Sequence, residues 1–164
     1  MARRHDREPS ITPSLLDRLL DDDPGQPREA VPYRTDDVRG LKRAVARDLE
    51  TLLNTRQEAL DELPESLEAV RGSLLTYGLP DFTAASLLSP RDRATLRRAL
   101  EDTIVTFEPR LERVRIVLED PRPTERAMRF RVEGWLRVEP TPEPVMFDTV
   151  LQLGTRSYVV QDRG

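Results

Sequence analysis

A carboxylate and a guanidinium flank a single proline at Glu108-Pro109-Arg110. Such a trio could donate a proton, hold a charge pair or grip a partner. Glycoside hydrolysis makes the sharpest demand on it, because one carboxylic acid must protonate the leaving oxygen while a second carboxylate acts as nucleophile or base. Glu108 would be the acid. No second carboxylate stands out, since Glu101, Asp102, Glu112 and Asp81 are ordinary positions in a chain that is 34% charged. The neighbouring guanidinium also argues against catalysis: a general acid must keep its proton near neutral pH, whereas Arg110 favours the ionised form. With no cysteine and one histidine, His5, the chain lacks the residues for thiol chemistry, histidine-rich metal sites and Ser-His triads. No metal or other cofactor is expected, and neither is a small-molecule substrate.

Two elements must position the trio. From Arg91 to Phe107 the apolar residues Leu96, Leu100, Ile104 and Phe107 recur at steps of three or four, which is a helix; Val114, Ile116 and Leu118 alternate, which is a strand. Pro109 makes the change abrupt, because it disfavours helical geometry at Glu108 and brings no N–H to a ladder. Glu108 is therefore expected to be extended, with Arg110 opening the strand and the two side chains projecting together at the rim of the fold. The pair then pins the corner or faces a partner. Uninterrupted counting puts Arg110 on the side of Val114 and Ile116, so either the pair is partly buried or a bulge near Glu112-Arg113 turns it outward.

Elsewhere, Thr35-Asp36-Asp37 supplies a cap and favourable charge for a helix running to Asn54, with Val38, Leu41, Val45, Leu49, Leu52 and Leu53 on one face. Asn54 and Thr55 can serve its last carbonyls, and Arg56 suits its negative end. A short helical turn is expected between Leu63 and Arg71. Ser73 to Phe82 reads as a buried, ordered loop, and Ser89-Pro90 as the start of the next long helix. Three further strands follow, around 128–138, 145–153 and 156–161, with Gly154-Thr155 as a reversal. Trp135 falls on the charged face of its strand, either lying over aliphatic stems or anchoring an interface.

The 164 residues support one domain, expected at 33–164, behind a flexible N-terminal segment 1–32. Within that segment Thr12-Pro13-Ser14 starts a short amphipathic helix carrying Leu15, Leu16, Leu19 and Leu20, and a Pro-rich linker follows. Its apolar face packs on its own domain or docks a partner; amphipathic helices usually serve the local core. The expected fold class is thus α+β, with three main helices followed by a C-terminal antiparallel meander of about four strands packed on them. A net charge of -4 gives no sign of a nucleic-acid surface. No apolar run approaches the roughly 20 residues of a membrane span, so a cytoplasmic protein with protein partners is expected.

Four segments carry a family resemblance: Ser14 to Leu20, Asp48 to Arg56, Tyr77-Gly78-Leu79-Pro80-Asp81-Phe82, and Phe107-Glu108-Pro109-Arg110-Leu111. In that order and spacing the chain resembles the TssE baseplate subunits of type VI secretion, within the phage baseplate-wedge family historically labelled lysozyme-like. The resemblance implies a non-catalytic structural component of a six-fold baseplate. It would be joined to other wedge subunits (TssF, TssG and TssK type) and would start assembly of a contractile sheath (TssB and TssC type). It implies that Glu108 and Arg110 bond the helical bundle of the larger wedge subunits, with Pro109 setting their direction. It also implies a strand-addition contact with the sheath, for which Ser157, Tyr158, Val159, Val160 and Gln161 form the candidate edge. The enzymatic alternative is a peptidoglycan muramidase using Glu108.

Overall fold

The computed structural model describes residues 38–58, 68–82, 86, 89–120, 127–152 and 157–163. The first long helix, α1, spans Val38–Asn54 and buries Leu41, Val45, Ala46, Leu49, Leu52 and Leu53. Each fully buried leucine or valine there stabilises the fold by roughly 1.5–3 kcal/mol. The second, α2, spans Pro90–Phe107; Ser89 caps it by accepting from the Asp92 N–H, Pro90 occupies the first turn, and Leu96, Leu100, Thr103 and Ile104 are buried. Between them lie a single helical turn at Glu68–Arg71 and a 3-10 turn at Leu74–Thr76.

Four strands follow: β1 at Leu111–Leu118, β2 at Ala127–Leu136, β3 at Glu143–Gln152 and β4 at Ser157–Asp162. They form one antiparallel sheet in the order β1-β2-β3-β4. Its inner face supplies Ile116, Met128, Phe130, Val132, Leu136, Val145, Phe147, Tyr158 and Val160, which pack with the helices into one core. Helix α1 lies against β4 and α2 against β1. The fold is therefore α+β in two layers, with two long helices among the described residues. The expected helix at Leu15, Leu16, Leu19 and Leu20 lies outside them, as do the Thr35-Asp36-Asp37 cap and the Gly154-Thr155 reversal.

Two local expectations change. Thr76, Gly78 and Leu79 are buried, but Leu74 and Leu75 are 87% and 60% exposed and Pro80 and Asp81 are exposed as well, so the 73–82 loop is buried only in its middle. The reason is where it is pinned. Leu79 N–H donates to the Thr55 carbonyl at 2.8 Å, and the Leu79 carbonyl accepts from Gln57 N–H at 2.8 Å. Gly78 has φ 109°, and a Cβ there would lie 2.4 Å from the Thr55 oxygen. Glycine permits both the conformation and the close approach. Arg56, expected to serve the helix end, instead forms a parallel bridge with Leu79 and pairs with Asp81.

Both alternatives posed by the strand parity hold: a bulge lies near Glu112-Arg113, and Glu108 is buried as well. The β1–β2 register shifts between Glu112 and Arg115, and Arg113 has φ 52°. The extra residue lets Leu111 and Ile116, five positions apart, both face the core. Gly134 stands opposite; a Cβ there would be 3.3 Å from the Glu112 carbonyl oxygen, so a bare backbone fits the bulge best.

Candidate functional site

The corner between α2 and β1 is a tight turn. Glu108 N–H still donates to the Ile104 carbonyl at 2.8 Å as the last bond of the helix, and Leu111 N–H donates back to the Glu108 carbonyl at 3.1 Å. Arg110 thus belongs to the turn, and the strand begins one residue later at Leu111. The expectation that Glu108 and Arg110 project together at the rim is half met. Glu108 is 4% exposed, whereas Pro109 is exposed and the Arg110 side chain keeps 24% of its surface.

The turn folds the guanidinium back onto the buried carboxylate. Arg110 Nε donates to Glu108 Oε1 at 2.6 Å, its Nη2 donates to Oε2, and its own backbone N–H reaches Oε1 at 3.2 Å. Nη2 also donates to Asp48 Oδ2 at 2.6 Å, which brings α1 into the cluster. Asp48 Oδ1 in turn accepts from Arg47 at 2.8 and 3.0 Å. Each oxygen of both carboxylates is therefore an acceptor, while Arg110 Nη1 has no hydrogen-bond partner among the described residues. Burial works against the charge on Arg110, but the hydrogen bonds and charges of Glu108 and Asp48 outweigh it and hold its pKa further above the ordinary value.

Tyr77 closes one side, its ring meeting Phe107 edge-on at 5.2 Å. Partial burial raises its phenol pKa, and the charges of Asp48 and Glu108 add to the effect. On the other side Arg137 N–H donates to the Arg110 carbonyl at 2.8 Å, tying the corner to the end of β2. Asp48 was missed by local reading, yet it left a trace. It lies three residues after Val45 and seven after Leu41, so this acid borders the buried stripe of α1.

This geometry suits holding, not proton transfer. Both Glu108 oxygens are engaged by the Arg110 guanidinium, an arrangement that fixes a cation in one orientation. The second carboxylate, Asp48, sits on the same cation, whereas glycoside hydrolysis needs two carboxyl groups flanking a sugar. Among the described residues no group of three or more His, Cys, Asp or Glu could hold a metal ion, and no helix is long and apolar enough to cross a membrane.

The candidate edge strand is β4. Just past its end, Arg163 N–H donates to the Met146 carbonyl at 3.1 Å, so by antiparallel alternation Ser157, Val159 and Gln161 face β3 while Tyr158 and Val160 turn their backbone groups outward. Those outward groups meet side chains of α1. Tyr158 N–H donates to Asn54 Oδ1 at 2.8 Å, its carbonyl accepts from Asn54 Nδ2 at 2.9 Å, and Val160 N–H donates to Glu50 Oε2 at 2.9 Å. On the opposite edge Ile116 N–H of β1 donates to Glu101 of α2 at 3.0 Å.

A two-layer fold whose buried ion cluster fixes one exposed turn defines a small scaffold domain of the α+β class. The family model of the baseplate wedge protein gp25 matches residues 39–141, and the chain belongs to that family, which is also the family of TssE. The matched segment holds all but the first residue of α1, together with α2, β1 and β2, and therefore the whole Glu108–Arg110–Asp48 cluster. Searches of curated proteins and of solved structures returned no match. The family is structural, and its members assemble with other baseplate proteins.

Proposed function

We propose that this protein is a non-catalytic wedge subunit of a type VI secretion baseplate. It joins the larger wedge subunits (TssF, TssG and TssK type) through the Glu108-Pro109-Arg110 corner and offers a sheet edge to sheath proteins of the TssB and TssC type. The observation that carries the docking role is the division of labour within the cluster. Glu108 and Asp48 have their oxygens occupied from inside, so they position Arg110. Its open Nη1, beside the exposed Pro109, is the group left to bond an acceptor on a partner. Two carboxylates already outweigh that one guanidinium, which favours a neutral acceptor such as a backbone carbonyl over a third carboxylate.

The sheath contact is assigned to β4 at Ser157, Tyr158, Val159, Val160 and Gln161, as strand addition. Leu15, Leu16, Leu19 and Leu20 form a second, N-terminal docking element. The deciding experiment is co-purification from the native host of tagged wild-type protein beside Glu108→Ala and Arg110→Ala. Wedge subunits are expected to accompany the wild type and to be depleted with both variants, while melting curves show both variants folded. Normal capture by both would remove the corner from the interface. Release of peptidoglycan fragments by the purified protein would overturn the non-catalytic reading.

A further inference from the structure

Asn54 and Glu50 reproduce the edge of a missing fifth strand. Side by side they offer β4 an acceptor, a donor and an acceptor, matched to Tyr158 N–H, Tyr158 C=O and Val160 N–H. The carboxamide of Asn54 presents its oxygen and nitrogen to the N–H and C=O of one residue, as the facing residue of an antiparallel hydrogen-bonded pair would. The spacing fits as well: four helical residues rise about 6 Å, close to the two strand residues, about 6.8 Å, that separate Tyr158 from Val160. One turn earlier the same face of α1 carries Ala46, which has no side-chain hydrogen-bonding group, and then Lys42, which pairs with Glu143 at 3.0 Å. Lys42 lines a cleft with Pro144, Val145, Met146, Asp162 and Arg163. The imitation therefore covers Tyr158 and Val160 and stops where that cleft begins.

We propose that Asn54 and Glu50 are a latch that keeps the β4 edge closed until an antiparallel strand of a sheath protein exchanges with them. The inference rests on β4 being the sheath-docking edge. The alternating order of groups specifies the occupant, because an extended strand supplies the same acceptor–donor–acceptor row. Exchange replaces the three bonds to β4 by three to a backbone edge and gives up the Asn54 Nδ2 bond to the Glu50 carbonyl at 2.8 Å, so the latch sets a threshold without forbidding docking. Asn54 is exposed and is the last residue of α1, so it can swing away without unwinding the helix.

The test pairs hydrogen exchange with sheath capture, using the full chain and a purified two-chain sheath complex of the TssB and TssC type. Asn54→Ala is expected to speed exchange of the Tyr158 amide about fivefold, as loss of a bond worth about 1 kcal/mol implies. The Val159 amide, bonded to β3, should stay unchanged, and sheath capture should rise severalfold. Glu50→Gln keeps an acceptor oxygen and should behave as wild type. If Asn54→Ala does not fold, Asn54→Leu serves, since it keeps the size of the side chain and loses both the acceptor for Tyr158 N–H and the donor to its carbonyl. Unchanged Tyr158 exchange overturns the latch. Faster exchange with unchanged capture overturns its gating role and leaves β4 docking intact. No capture by wild type or variants removes the docking reading itself, and the latch's role with it.

Discussion

Replacing Arg110 by alanine removes three charge-assisted hydrogen bonds and leaves Glu108, only 4% exposed, with its backbone contact to residue 110 alone. Breaking a buried ion pair typically costs about 3–5 kcal/mol. Here the lower end applies, because the Arg110 and Asp48 side chains keep 24% and 26% of their surface and Asp48 retains Arg47. The expected loss is about 3 kcal/mol, or a melting temperature lower by roughly 6–12 °C for a chain of this size. Glu108→Ala should cost less, about 2 kcal/mol, since the partly exposed Arg110 keeps Asp48. The double variant should cost about 1.5 kcal/mol less than the two single losses added together, which is the signature of a direct pair. Urea unfolding followed by circular dichroism measures all three. An Arg110→Ala loss below about 0.5 kcal/mol, or strict additivity, would refute the view that Glu108 is held by Arg110.

Three other outcomes follow from the geometry. Burial pushes the Tyr158 phenol up to about 12. Above pH 10 the unfolded chain therefore loses that proton first, and about 2–3 kcal/mol of stability present below pH 10 disappears by pH 12; Tyr158→Phe should flatten this fall, and parallel alkaline curves would contradict it. Gly78→Ala sets a methyl group against the Thr55 carbonyl in a left-handed conformation, so a loss of at least 2–3 kcal/mol is expected, roughly, with a wild-type melting curve the contrary result. Thr149 is fully buried on β3, and its hydroxyl has no hydrogen-bond partner among the described residues; Thr149→Val should be neutral or stabilising by up to about 1 kcal/mol, and a clear loss in urea midpoint would point to a partner for that hydroxyl.

Much of this architecture is written in local patterns. The apolar stripes of α1 and α2, the Ser89-Pro90 start and the alternation of β1 to β4 all depend on near neighbours, and each appears close to its expected limits. The parity conflict at Arg110 and Val114 exposed the bulge because a strand has a strict period of two. What stayed hidden depends on distant partners. Nothing near Tyr158 announces Asn54, 104 positions away, and nothing near Arg110 announces Asp48, 62 positions away. The exposure of Leu74 and Leu75 was concealed for a related reason, since it is Gly78 and Leu79, further along the loop, that are clamped against the end of α1.

The turn at Pro109 is joined to three parts of the molecule at once. Asp48 holds it to α1, the Ile104–Glu108 bond to α2, and Arg137 to the end of β2. A force applied there is divided among both helices and an inner strand, so the elements resist together and cannot peel away one by one. In a machine that contracts, a subunit gripped at this corner would move as a single rigid piece.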